Sequence, residues 1–285
     1  MSLGWKRPIP EGWIEWVFAS LAEDVGAGDL SAAIFDDDHV VNWYIEALDE
    51  GVVCGVGMAF AILQPDQDDP DSCRTDVLLL DGEPVSRGSV ILKGKAVASK
   101  LLTRERTALN FLMHLSGIAS LTFKYVEKVA EYGCDIVDTR KTTPGLRALE
   151  KYAVRCGGGR NHRMGLYDGI MVKDNHIRAA GSITEAVERA KRIAGQMTMI
   201  EVECETEDQV AEAVRAGVDI VMLDNMDPFM MQSVVRKYRG EVRLEASGGI
   251  TLETVQNVAA IGVHSISVGA LTHSAPALPF HLEVE

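Results

Sequence analysis

The residues best equipped for chemistry lie between positions 139 and 176 of this 285-residue chain. Arg140, Lys141, Arg163 and Lys173, with His162 beside them, are cations suited to carboxylates or phosphates. Arginine offers a bidentate fork and lysine a point charge. Further along, Glu203 and Asp224 supply carboxylates, and amid such cations they suit Mg²⁺ held through oxygen ligands and water. A structural ion pair with Lys173 is the alternative for that pair. Ser247-Gly248-Gly249 and Gly269-Ala270 are small residues whose backbone N–H groups suit a phosphate ahead of a helix. A plain strand-to-helix turn explains them equally well. The glycines 157–159 let backbone approach a ligand, and Cys156 beside this run reads as a buried cysteine in preference to a partner for His162.

These groups need elements to hold them, and the pattern from residue 134 onward provides them. Short apolar strands are legible at 135–139, 169–173, 199–204, 219–223, 242–246 and 265–269. Amphipathic helices fit 146–155, 183–193, 209–216, 228–238 and 252–260. Such alternation implies parallel strands with crossover helices, hence a barrel or a doubly wound sheet. In either fold ligands sit at the carboxyl ends of the strands. Here six apolar strands all finish on charged, small or amide residues, as a shared pocket mouth requires.

The N-terminal third reads as a mixed α+β unit. Trp13, Ile14, Val17, Phe18 and Leu21 recur at helical spacing, and the glycines of 24–29 end that helix. Residues 40–56 and 77–95 are β-rich, separated by an acidic, proline-containing loop at 65–76. A long helix at 101–130, broken near Ser116-Gly117, carries the chain into the second domain.

Composition narrows the partners. No stretch approaches the roughly 20 apolar residues of a membrane helix, and the formal net charge of -14 disfavours nucleic acid or an acidic membrane. The charge is unevenly spread: residues 93–178 carry 16 Lys and Arg against 8 Asp and Glu. A basic segment in an acidic body suggests a small anionic ligand, although a salt-bridged helix face has the same composition. Five scattered cysteines without a C-x-x-C pair argue against a disulfide framework or zinc site and fit a reducing cytoplasm. The P-loop, H-E-x-x-H and G-x-S-x-G motifs are absent from the sequence, and with them the usual support for ATP hydrolysis, zinc proteolysis and serine-hydrolase chemistry.

Several stretches resemble the quinolinate phosphoribosyltransferase family. They include E-D-V-G-A-G-D at 23–29, R-E-R-T-A-L-N at 104–110, D-T-R-K-T-T-P-G at 138–145, G-G-G-R-N-H-R at 157–163 and K-D-N-H at 173–176. E-V-E-C at 201, L-E-A-S-G-G-I at 244 and S-V-G-A-L-T-H-S at 267 extend the resemblance over nearly the whole chain. It implies an α/β fold, an N-terminal α/β sandwich (1–115, with the tail 274–285 packed back on it) and an incomplete TIM-like barrel (116–273) of the type II phosphoribosyltransferases. It also implies a homodimer with an active site shared between subunits, or a hexamer built from it. The implied reaction joins quinolinate and phosphoribosyl pyrophosphate, with Mg²⁺, to give nicotinate mononucleotide, CO₂ and pyrophosphate in NAD biosynthesis. Arg106, Thr139, Arg140, His162, Arg163 and Lys173 match the dicarboxylate positions, Arg106 reaching the site from the partner subunit. Lys141 and Lys173 match those near phosphoribosyl pyrophosphate, Glu203 and Asp224 the pair beside ribose and metal. Ser247, Gly248, Gly249, Gly269, Ala270 and His273 match the 5′-phosphate site. Arg160 departs from the smaller or apolar residue the family suggests. A molybdenum-linked relative with another acceptor, or a silent paralogue, are the competing expectations.

Overall fold

The computed structural model describes residues 8–36, 38–64 and 74–285. Two units are built from it: residues up to 123 with 148–158 and 274–285, and residues 124–147 with 159–273.

The first unit contains helix α1 (Trp13–Val25), strands β1 (Val40–Ala47) and β2 (Gly51–Val52), helix α2 (Val56–Leu63), and strands β3 (Arg74–Val77), β4 (Pro84–Val85) and β5 (Val90–Val97). Helix α3 (Ala98–Val129) then leads toward the second unit, and strand β12 (Phe280–Val284) closes the chain. The main sheet is antiparallel in the order β12-β1-β5-β3. Alternation explains its buried face: Trp43, Ile45 and Ala47 on β1 and Phe280 and Leu282 on β12 are buried, as period-two side chains on one face must be. The C-terminal tail is thereby tied to this unit, with Trp43 opposite Val284 and Ala47 opposite Phe280.

The second unit strings β6 (Asp135–Val137), α4 (Arg147–Cys156), β7 (Ile170–Val172), α5 (Asp174–Ala180), α6 (Ile183–Ile193) and β8 (Ile200–Cys204). It continues with α7 (Glu207–Ala216), β9 (Ile220–Asp224), α8 (Pro228–Tyr238), β10 (Arg243–Ser247), α9 (Val255–Ile261), β11 (Ser265–Ser267) and α10 (Ala270–His273). Most of α4 falls within the first unit. The six strands are parallel in the order β6-β11-β10-β9-β8-β7. Caps set the helix starts: Ser182 accepts from the Glu185 N–H, Thr206 from Gln209, and Asp227 from Phe229 and Met230, each satisfying an otherwise orphaned donor. Residues at the ends of both edge strands line one cavity, so the sheet curls into a barrel that does not close.

Three expectations need correction. Helix α3 is continuous through Ser116-Gly117. A side chain at Gly117 would collide with the Pro276 carbonyl, so this glycine permits close packing, and its cost in helix propensity is accepted without a break. Of the acidic stretch expected as a loop, 65–73 lie outside the described residues, and Arg74–Asp76 belong to β3, where Asp76 faces Lys93 across the ladder in a favourable pairing of opposite charges. Residues after β7 and β11 form the short helices α5 and α10 where only strand ends were expected.

Candidate active site

Alternation also builds the barrel interior. Glu201 and Glu203 on β8 point to one side, as do Met222 and Asp224 on β9, Glu245 and Ser247 on β10, and Ser265 and Ser267 on β11. The later member of each pair lines a cavity of about 550 Å³. Around it stand Thr139, Arg140 and Lys141 after β6, His162 and Arg163 before β7, Met171 and Lys173 at β7, and Asn225, Gly248 and Gly249 at β9 and β10.

The cations repel one another there. The charge on Arg163 is disfavoured first by burial and then by Arg140, an effect that Glu201, Asp168 and Glu203 partly offset. Its Nη1 donates to the Gly169 carbonyl at 3.0 Å. Arg140 Nε is buried without a hydrogen-bond partner among the described residues. Two crowded guanidiniums with an unmet donor gain from any anion that enters between them. Lys141 is anchored through its backbone, its N–H donating to Thr139 Oγ1 at 3.1 Å and its carbonyl accepting from Thr272 at 2.8 Å.

Glu203 and Asp224 are the two carboxylates among the lining residues. Lys173 Nζ pairs with Glu203 Oε1, yet the Lys173 side chain is 44% exposed. The ion pair therefore leaves part of the Lys173 side chain accessible. A smaller recess of about 190 Å³ beside them adds Asp174 and Glu205 to Glu203 and Asp224. Hard oxygen donors open to solvent suit Mg²⁺, which keeps several waters and shares substrate phosphates.

The small residues are sterically required at one position above all. Gly248 has φ +102°, and a methyl there would meet the Asn225 side chain. Asn225 itself has φ 52°, the one positive φ outside glycine among the described residues, and its N–H donates to the Ser247 carbonyl at 2.9 Å. Gly269 and His273 sit against one another, and Gly269 also adjoins the Lys141 side chain, but Gly269, Ala270 and His273 are not among the residues lining the cavity. Arg106, on α3 in the first unit, has a side chain 62% exposed and lies 3.9 Å from Glu105. Arg160 pairs with Asp135 at 3.1 Å on the surface, and its backbone bridges Val137 on the free edge of β6.

Sequence reasoning passed over a supporting layer. Asp138, fully buried, accepts from the His162 backbone N–H at 2.9 Å and from Asn161 Nδ2 at 2.5 Å. His162 Nε2 lies 2.9 Å from Glu201 Oε2 and 3.7 Å from Glu245 Oε1. The signal for Glu201 and Glu245 was available: each stands two residues before a pocket residue on its own strand and so shares its face. Met171 and Met222, also missed, add apolar wall to the cavity.

Comparison with known proteins identifies the family. The family model "Quinolinate phosphoribosyl transferase, C-terminal domain" matches residues 118–283, and its N-terminal counterpart matches 29–116. The chain is 43% identical over 265 residues to a protein of Bacillus subtilis described as a probable carboxylating nicotinate-nucleotide pyrophosphorylase, covering 92% of this chain and 90% of that one. It is 41% identical to the chloroplastic enzyme of that name in Arabidopsis thaliana, over 93% of this chain and 81% of the other. Among solved structures, the nicotinate-nucleotide pyrophosphorylase of Francisella tularensis superposes with a TM-score of 0.89 at 38% identity, covering 95% of both chains. Human nicotinic acid phosphoribosyltransferase, at 11% identity and a TM-score of 0.59, shares the fold alone. With both of its domains matched and close relatives aligned along most of its length, the chain belongs to the quinolinate phosphoribosyltransferase family.

Proposed function

We propose that this barrel transfers a phosphoribosyl group from phosphoribosyl pyrophosphate to quinolinate, with loss of CO₂, giving nicotinate mononucleotide and pyrophosphate. The observation that carries the reading is the convergence of Arg140, Lys141, Arg163 and Lys173 on one cavity, with Arg140 Nε buried there without a hydrogen-bond partner among the described residues, an arrangement that an aromatic dicarboxylate satisfies. Arg140 and Arg163 grip the two carboxylates, and Met171 and Met222 flank the ring. Lys141 and Lys173 meet the polyphosphate, and the backbone at 247–249 receives the 5′-phosphate. The pyridine nitrogen bonds to ribose C1 as the bond from C1 to the pyrophosphate oxygen breaks. Positive charge on the nitrogen then accepts the electron pair released when the 2-carboxylate leaves as CO₂, and C2 takes up a proton. Such chemistry asks the protein for positioning and charge complementarity more than for a nucleophile.

Glu203 and Asp224 would hold Mg²⁺, which when bound would supply charge neutralisation for the leaving pyrophosphate. Arg106 would complete the acceptor site of a second subunit in a homodimer. The reading extends to a reducing cytoplasm, supported by Cys54, Cys134, Cys156 and Cys204, which are buried as free thiols.

The test is a turnover assay with both substrates and Mg²⁺, following release of CO₂ from quinolinate. Activity with nicotinate and none with quinolinate would move the chain to a different acceptor, and no turnover with either would make it a silent member of its family.

A further inference from the structure

One ring nitrogen of His162 accepts a hydrogen bond inside the protein, and the other lies within ion-pair distance of two carboxylates. Nδ1 accepts the backbone N–H of Arg163 at 2.8 Å, and an accepting imidazole nitrogen carries no proton. The ring proton then belongs to Nε2, which faces Glu201 Oε2 at 2.9 Å and Glu245 Oε1 at 3.7 Å. These two side chains are deeply buried, with Glu201 4% and Glu245 3% exposed. The Oε1 atom of each lacks a hydrogen-bond partner among the described residues, while Glu245 Oε2 accepts from the Ser265 hydroxyl at 3.1 Å.

We infer that Glu201 and Glu245 are positioning residues that hold His162 as a neutral, Nε2-protonated imidazole, whose Nδ1 in turn fixes the backbone of Arg163. His162 then serves the acceptor acid as a brace for Arg163, not as a cation touching the acid. A second proton, on Nδ1, would point at the Arg163 N–H and replace an attraction by a clash of donors. The brace completes a clamp on Arg163: His162 holds its backbone, and the Gly169 carbonyl holds its Nη1. Asp138 fixes the brace itself by accepting the His162 N–H. A cation among the three side chains would need the lone pair of Nε2, which this tautomer does not offer.

The significance for binding rests on the proposed acceptor, but the tautomer does not, and the two are tested separately. Long-range ¹H–¹⁵N NMR of the histidine-labelled full chain without substrate, with the signal assigned by His162→Gln, is expected to show a pyridine-type Nδ1 and a pyrrole-type Nε2 at neutral pH. An imidazolium pattern, an Nδ1–H tautomer, or loss of the Nε2 proton on adding Mg²⁺ or Zn²⁺ overturns the inference. By calorimetry, Glu201→Ala is expected to weaken quinolinate binding about 10-fold to 100-fold, as loss of a buried polar partner does. Glu201→Gln, whose amide oxygen still accepts the ring proton, should restore wild-type affinity. Affinity for phosphoribosyl pyrophosphate should stay constant in both variants. Equal losses in the two variants, or no loss in Glu201→Ala, contradict the brace. If wild-type protein fails to bind quinolinate, the proposed acceptor is wrong, and the NMR result still decides the tautomer.

Discussion

Burial and then Arg140 disfavour the charge of Arg163 within the cavity that both arginines line. The free protein therefore holds an unfavourable contact that an anion converts into a favourable one. Arg163→Ala is expected to leave stability within about 0.5 kcal/mol of wild type or raise it, while quinolinate binding falls at least about 100-fold. Calorimetry for binding and thermal melts for stability check the two halves together, and a destabilised variant that still binds would reverse the argument.

A dicarboxylate that binds only the folded chain must also stabilise it. Phthalate, which keeps two adjacent carboxylates on a six-membered ring, should raise the melting temperature of wild type in a concentration-dependent way. Arg140→Ala/Arg163→Ala should show no such rise.

Stability should vary with pH through Glu245, whose carboxyl is pushed up to about 7 from the ordinary 4.5 by burial and then by Glu201. Between those values the folded chain keeps a proton that the unfolded chain has released, so unfolding releases a proton and stability declines as pH rises. The contribution is complete below pH 4.5 and gone above about 7. Urea midpoints for wild type and Glu245→Gln should converge or cross over that window, with wild type losing on the order of 1 to 3 kcal/mol relative to the variant. Parallel curves would show that Glu245 does not titrate there.

Gly248→Ala places a methyl against Asn225 on a backbone with φ +102°, so it should destabilise the fold by about 1 to 3 kcal/mol. It should also weaken binding of phosphoribosyl pyrophosphate more than of quinolinate. Denaturant melts and separate titrations of the two substrates resolve these effects.

Chelation of divalent ions should stop turnover, and Mg²⁺ should restore it. Asp224→Asn is expected to raise the Mg²⁺ concentration needed for half-maximal rate by about 10-fold or more, because it removes one of the two carboxylates in the cavity wall. An unchanged requirement would move the metal elsewhere.

The alternation of strands and helices after residue 134 was legible because apolar runs of parallel strands and 3.6-residue periodicity are local signals. Helices α6 and α8 match their expected ranges. The cations at 140, 141 and 173 were legible as neighbours of one cavity because they stand at strand ends, whereas Arg163 reaches the same cavity from the loop before β7. The supporting layer was harder to see: Glu201, Glu245 and Asp138 act through neighbours more than twenty residues away, and charge in a strand interior looks like a surface residue until the sheet curls. The unbroken α3 was misread because a helical glycine is locally a weak point, and only the Pro276 carbonyl lying against it shows why the residue is small. Arg74–Asp76 looked like loop because their β character comes from pairing with β5.

The joint between Asn225 and Gly248 gives the barrel two regions with different tolerance for change. Its left-handed asparagine, its methyl-free glycine and the Asn225 N–H to Ser247 carbonyl bond form one interlocked corner, where altering either residue demands a matching change in the other. The arginine side of the cavity has no left-handed backbone at Arg140, Arg163 or Met171. Redesign of the chain toward another ring acid should therefore proceed by side-chain replacement on that wall, leaving the sugar-phosphate corner untouched as a fixed module.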